Sequence, residues 1–393
     1  MRVYMDYNAT TPVDPAVLEA MLPFLRDQFG NAGSVHTPGQ RARAAVETAR
    51  ESVAALIGAR PGEIVFTGGG TEADNLAIFG AVAASTRPRM HIITTAIEHH
   101  AVLHACENLA EQGVDVTIVP VGRGEGSQGV VDPEEIRRAI RPETVLISVM
   151  HANNELGTIQ PIEEIGRIAA AAGICFHCDA VQSAGKIPVN VKSMGVDLLS
   201  ISAHKFCGPK GVGALYVREG TPLVPRSRGG HAEKGRRAGT ENVPGIAAFG
   251  KAAELAQVKL PEDSVRIRGL RDRLEATLLD RISGSRVNAG SSSRVPNTSN
   301  MVFPGAGGEA LLIALDLQGI ACSTGAACSS GSTEPSHVLL AAGVSLDNAR
   351  SSLRLSLGRM TTPPEVEFAA ATIPAVVERL RAISPRSDVS SVR

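Results

Sequence analysis

Between residues 63 and 217 short apolar runs alternate with helical patterns, and no other feature of this sequence constrains the fold as much. The runs at 63–67, 91–95, 114–119, 145–149, 174–178, 198–202 and 214–217 have strand length and are bounded by turn-forming residues. Between most of them lie amphipathic stretches. One covers 101–111 and ends at Gly113. Another opens at Asp132-Pro133, where an N-cap residue precedes a proline at the first helical position and Glu135 completes a capping-box pattern. Strands separated by helices pair in parallel and are covered on both faces. The expectation is therefore an α/β fold with a seven-stranded, mostly parallel sheet.

Outside that region the pattern changes. A polar entry segment, 1–14, is followed by helices at 15–24 and 40–57, the second closed by Gly58. Residues 223–241 are rich in Gly and Arg and read as a functional or interface loop. A long helix is expected over 244–282, then strands at 299–303, 320–323 and 352–356 with helices at 309–317 and 364–383. This predicts a large α/β domain, 15–255, and a smaller α+β domain built from 1–14 and 256–393. A hydrophobic content of 43% and a net charge of −1 argue against disorder and against nucleic-acid binding. No apolar run is long enough to span a bilayer and no secretory leader is recognisable, so a cytoplasmic protein without membrane contact is expected. Six cysteines in 393 residues are not a disulfide framework. Cys175 and Cys178 have redox or zinc spacing but fall on a strand, where residues three apart face opposite ways, and no metal site is expected.

In open parallel sheets ligands bind beyond the carboxyl ends of the strands, and those ends carry a consistent chemistry here. Ser202-Ala-His204-Lys205 follows the 198–202 run. A lysine leaving a covered strand has its pKa pushed down from about 10.4, and a neutral amine can form a Schiff base with an aldehyde. Gly68-Gly-Gly70-Thr71 opens a helix and offers N–H groups and a hydroxyl to one phosphate. Glu98-His99-His100 places an imidazole where it can lie on a planar ring or move protons. Asn153-Asn154 supplies amides after 145–149. Asp179-Ala-Val-Gln182 closes 174–178 with an acid that needs a cationic partner, and a protonated pyridinium nitrogen is one. Together these describe a pocket for pyridoxal phosphate (PLP). Two further groups lie in the smaller domain. Cys328 sits in a run of small residues, expected to be mobile, that could carry a thiol to the cofactor and away again. Arg354 on a strand suits a substrate carboxylate or, equally, a structural salt bridge. Cys322 is the better-buried cysteine by pattern.

The segments 6–12, 66–75, Glu98-His99, 150–155, 177–182, 202–205, 236–242, 328–335 and 351–358 resemble the cysteine desulfurases, fold-type-I PLP enzymes with an aspartate aminotransferase-like fold. The run from Arg228 to Asn242 is similar to the nitrogen-fixation branch, with the housekeeping iron–sulfur branch next. The resemblance implies that Lys205 carries the cofactor as a Schiff base, Asp179 pairs with its ring nitrogen, and Gln182 meets its ring hydroxyl. His99 would stack on the ring and handle protons. Gly70, Thr71, Ser202 and His204 would bind the phosphate, with Thr240 donated from the other subunit of a homodimer. Asn154 and Arg354 would hold the carboxylate of L-cysteine. Cys328 would take the sulfur as a persulfide, leaving alanine, for delivery to an iron–sulfur scaffold protein. The chain departs from the family pattern at Gly69-Gly70, Phe206-Cys207, Thr324 and Ala326 without losing a reactive group. The rival readings are a selenocysteine or sulfinate lyase, a PLP aminotransferase in which Cys328 is incidental, and a sulfur-carrying scaffold without activity.

Overall fold

The structure, a computed structural model, describes residues 1–324 and 335–383. Its centre is a seven-stranded sheet in the order Ile64–Thr67, Gly213–Val217, Leu198–Ser202, Cys175–Asp179, Thr144–Ser148, His91–Thr95, Asp115–Val119. The five strands from Leu198–Ser202 to Asp115–Val119 pair in parallel, and Gly213–Val217 is antiparallel to both its neighbours. The expected sheet is present, with boundaries moved by a residue in places. At 174–178 the cause is local: Gly173 adopts φ +64 and the Ile174 N–H bonds back to Ala169 O at 3.0 Å, so the strand begins at Cys175. Asp179 thereby becomes the last residue of the strand itself. Cys178 packs into the main core, while Cys175 packs against clusters on the other side of the sheet.

Two helices differ from their expected limits by two residues or more. Pro15–Arg26 runs past Phe24, and Thr37–Ile57 begins three residues early because the His36 ring accepts from the Gly39 N–H at 3.3 Å. Histidine is a rare cap, which hid this start. The Val243–Arg281 helix passes through two cores. Ile246, Phe249, Ala252 and Ala256 pack with the large sheet, whereas Ile267, Leu270, Leu274 and Leu278 pack with Val3, Met5, Met301, Leu353 and Ile373. A small antiparallel sheet of Arg286–Val287, Thr298–Val302 and Ser352–Ser356 sits in the second core, and Val3–Tyr4 pairs with Ile320–Ala321. We propose that the two domains, 15–255 and 1–14 with 256–393, join along this helix. Among the described residues no helix is long and apolar enough to cross a membrane.

His91–Thr95 has Asp115–Val119 on one side and Thr144–Ser148 on the other. The order of strands reverses there, and the crevice that such a reversal opens lies at the carboxyl ends. Glu98, Met150, Asp179 and Ser202 all stand at those ends.

Candidate active site

Lys205 ends a single 3-10 turn, Ala203–Lys205, directly after the buried strand Leu198–Ser202. Its amine is half-buried and donates to the carbonyls of Asn8 at 2.6 Å and Ala9 at 2.9 Å. The N-terminal segment straps this turn. Thr11 donates from N and from Oγ1 to His204 O at 3.0 and 2.9 Å, and its Oγ1 accepts from the Cys207 N–H at 2.8 Å. Cys207 takes φ +66, a left-handed conformation that costs a non-glycine residue about 1 kcal/mol or more and here lets the chain leave the lysine.

Asp179 pairs with Ser200 on the neighbouring strand. It is buried, and burial raises its carboxyl above the ordinary range, while the Val181 N–H, donated to its Oδ1 at 2.9 Å, and the charge of Lys205 act the other way. Gln182, one turn further on, donates from Nε2 to Asn8 O at 2.9 Å. Beneath Asp179 lies a polar layer that the sequence did not disclose. His177 bonds Ser148 Oγ at 2.8 Å and Ser200 Oγ at 3.0 Å, and Asp74 Oδ1 stands 3.6 Å from its Nε2. Burial pushes the His177 imidazole down to about 3, so it is neutral, and burial together with repulsion from Asp179 raises Asp74 well above its usual value.

The Gly-rich turn fits an anion. Gly70 begins a helix to Ala84, and Gly69 holds φ +152, open only to glycine. A Cβ on Gly70 would stand 2.8 Å from Val181 Cγ2 and 3.5 Å from Ser202 Cβ. Ser202 Oγ is buried with no hydrogen-bond partner among the described residues. An orphaned hydroxyl beside a helix N-terminus, packed close enough that position 70 admits only glycine, is what a phosphate group would satisfy. Thr71 is exposed at the same helix start. Glu72 accepts from the Gly68 N–H at 2.6 Å and pairs with Arg237 at 2.7 Å, tying the 223–241 loop to this turn. His204 Nδ1 bonds Thr10 Oγ1 at 3.1 Å, and burial followed by the charges of Lys205, Lys210 and Lys186 pushes it down to about 4.

His99 caps the helix His100–Glu111, its Nδ1 accepting from the Ala101 N–H at 3.1 Å. The neutral ring must then carry its proton on Nε2. Burial, then the charges of Lys205, His100, His337 and His104, pushes this imidazole down to about 4, so the neutral tautomer prevails at physiological pH. Glu98, beside it, is fully buried. It accepts from Thr95 Oγ1 at 2.5 Å and the Met150 N–H at 3.0 Å, and its Oε2 has no partner among the described residues. Burial, opposed by those two bonds and aided by Asp179, raises it to about 8. The folded protein thus holds a proton here that the unfolded chain, with glutamate near 4.3, releases. Glu98 therefore makes stability fall as pH rises from about 4.5 to 8. Glu98→Gln is expected to gain on wild type by about 3–4 kcal/mol between pH 5 and 8 in denaturant unfolding. An unchanged difference at the two pH values contradicts this.

Arg354 is buried on the Ser352–Ser356 strand. Its Nη1 donates to Asn154 O at 3.0 Å and its Nη2 to Asp6 Oδ1 at 2.7 Å, while Nε is buried with no partner among the described residues. The salt bridge is thus present. Asn153 is used up locally, its Oδ1 accepting from the Glu155 and Leu156 N–H groups and its Nδ2 donating to Ile97 O. Asn154 is half-buried. Thr240 is not brought to the other groups: it is exposed and lines a separate hollow of about 670 Å³ with Arg43, Arg50, His231 and Lys234. Cys328 lies outside the described residues. Cys322 is buried, and burial pushes its thiol up to about 12. The residues that sequence reasoning missed are Asn8, Lys186, Glu98, Asp74 and Asp6. Among the described residues no group of three or more His, Cys, Asp or Glu side chains is placed to hold a metal ion.

The aminotransferase class-V family pattern matches residues 3–368. A protein of Dictyoglomus turgidum named cysteine desulfurase IscS is 50% identical over 383 residues, covering 98% of this chain and 96% of that one. The chain belongs to the cysteine desulfurases of the aminotransferase class-V family. Enzymes of this family use pyridoxal phosphate, which the donor set at Lys205, Asp179 and Ser202 fits. A cysteine desulfurase of Nostoc sp. is also 50% identical, over 98% of this chain and 94% of its own. Among solved structures, a NifS-like protein superposes with a TM-score of 0.90 at 39% identity, covering 96% of this chain and all of that one. A structure titled SspA in complex with cysteine gives 0.81 at 38% identity, over 92% of this chain and 100% of that one.

Proposed function

We propose that this enzyme removes sulfur from L-cysteine, releasing L-alanine and leaving a persulfide on Cys328. The observation that carries the reading is the convergence on Asn8. Lys205 and Gln182 both donate to its carbonyl, and its side chain reaches Asn154 O, which also takes the Arg354 guanidinium. One residue thereby ties the amine to the arginine suited to a substrate carboxylate. Lys205 carries the cofactor and afterwards moves protons at the substrate α-carbon. Asp179 keeps the ring nitrogen protonated, and the Ser202 hydroxyl with the N–H groups at Gly70 and Thr71 takes the phosphate, helped by His204. When bound, the cofactor withdraws electrons from the substrate, making its sulfur open to attack by a thiolate. Arg354 and Asn154 orient the carboxylate. His99 donates from Nε2, since a second proton would have to go on Nδ1 and would cost the ring its cap on Ala101. In the overall exchange the carbon–sulfur bond breaks, a sulfur–sulfur bond forms on Cys328, and the carbon gains a proton to become the alanine methyl. No external oxidant or reductant enters.

Thr240 is read as the residue that a second copy lends to the phosphate, which makes the working unit a homodimer. The sulfur acceptor is read as an iron–sulfur scaffold protein, and the run from Arg228 to Asn242 favours the nitrogen-fixation branch. The test is quantitative. With L-cysteine, the PLP-loaded protein should form alanine and sulfide-plus-persulfide in equal amounts. Pyruvate in place of alanine, or alanine without sulfur, contradicts the reading.

A further inference from the structure

Lys186 stands among the groups just described without a part in the reaction. It follows Gly185, whose φ of +74 and close approach to Phe206 (a Cβ would stand 2.8 Å from Phe206 Cβ) fix the turn that aims it. Its Nζ donates to Gln182 Oε1 at 2.6 Å and to Asn8 Oδ1 at 3.1 Å. Gln182 donates from Nε2 to the Asn8 carbonyl at 2.9 Å, the same oxygen that takes the Lys205 amine at 2.6 Å. A primary amide can be turned either way round, and its hydrogen bonds decide which. Here a donor holds the oxygen end and a carbonyl holds one N–H, so a single orientation satisfies both.

We infer that Lys186 is a positioning residue for the proposed reaction: it locks the Gln182 amide so that what Gln182 offers a cofactor ring oxygen is its second N–H and never a carbonyl lone pair. The inference rests on the assignment of Lys205 and Gln182 above. A donor on that oxygen stabilises its anion and draws electron density from the conjugated lysine nitrogen, which then loses its proton at lower pH. Lys186 acts in the same sense through its charge. Burial, then Lys205 and Arg354, pushes its ammonium well below the ordinary value, and the repulsion is mutual. The other groups facing the two amines are Asp179 at its strand end, His99 at its helix cap, His204 and Cys207 flanking Lys205, and Arg354 on Ser352–Ser356. A substitution at position 186 leaves these residues in place and removes only the charge that Lys186 sets against Lys205, Arg354 and His204.

The experiment follows the visible band of the PLP-loaded enzyme against pH. Lys186→Met should raise the midpoint of its titration by about one unit, Gln182→Leu should move it the same way, and Lys186→Arg should return it to the wild-type value. Lys186→Gln is read in the same way if methionine prevents folding. A purely structural lysine would lower the melting temperature and leave the midpoint alone. A coloured Lys186→Met enzyme with the wild-type midpoint, or a Gln182→Leu enzyme that does not move, overturns the inference and leaves the Lys205 assignment standing. A wild-type protein that takes up no colour overturns that assignment and this inference with it.

Discussion

Lys205→Ala yields a folded protein that stays colourless with pyridoxal phosphate and has lost desulfurase activity by more than roughly 10⁴-fold, beyond the 10²–10⁴ that a proton-handling side chain alone supplies. The fold should survive because, of the carbonyls of Asn8 and Ala9 that the amine bonds, the Asn8 carbonyl keeps its bond from Gln182. Losing the other leaves one carbonyl short of a donor, a cost of about 1–3 kcal/mol. The Thr11 contacts to His204 and Cys207 still hold the turn. The checks are a visible spectrum, a melting curve and alanine release. Substantial colour or more than about 1% of wild-type turnover would show that another amine carries the cofactor.

Cys328→Ser leaves the protein coloured but stops sulfur output, with alanine release down by at least about 10³-fold. A serine hydroxyl at neutral pH offers no appreciable anion, whereas a thiol near 8.5 is a few per cent thiolate and a strong nucleophile. The effect should be chemical and not structural, because the chain on either side is anchored without it. On the N-terminal side, Ser323 and Arg354 exchange backbone hydrogen bonds at 3.2 and 2.6 Å. On the C-terminal side, Ser336 Oγ donates to buried Glu155 Oε2 at 2.5 Å and caps the helix His337–Ala341. His337 Nε2 also contacts Glu98 O at 3.1 Å. The check is persulfide mass on the loop peptide after L-cysteine. Persulfide on Cys322 or undiminished alanine release would remove Cys328 from the mechanism.

The sheet was legible because strands covered on both faces must be apolar throughout, and Leu198–Ser202 and His91–Thr95 fall where the runs predicted them. Asp179 and Ser202 were legible for the opposite reason, as polar groups closing such runs. Asn8 was not. Its meaning comes from contacts with Asn154, Gln182, Lys205 and Thr298, made by folding a polar entry segment back over residues far along the chain, and no local spacing records that. Lys186 has the sequence signature of any lysine in a turn, and it is aimed by Gly185 in the left-handed conformation. Glu98 was masked by the histidine beside it, since a buried acid held by Thr95 and Met150 has the same sequence signature as a solvated one. Thr240 lies apart from the Gly69–Thr71 turn within this chain, and the proposal is that a second copy brings it there.

The central claim is that one amine, at the end of the Leu198–Ser202 strand, carries the cofactor. Borohydride reduction of the PLP-loaded enzyme followed by peptide mass mapping tests it most directly, because reduction makes the cofactor–lysine bond permanent. The account predicts a single pyridoxyl group on the peptide containing Lys205. A pyridoxyl group on Lys186, its neighbour across Asn8, or no labelled peptide at all, would contradict it.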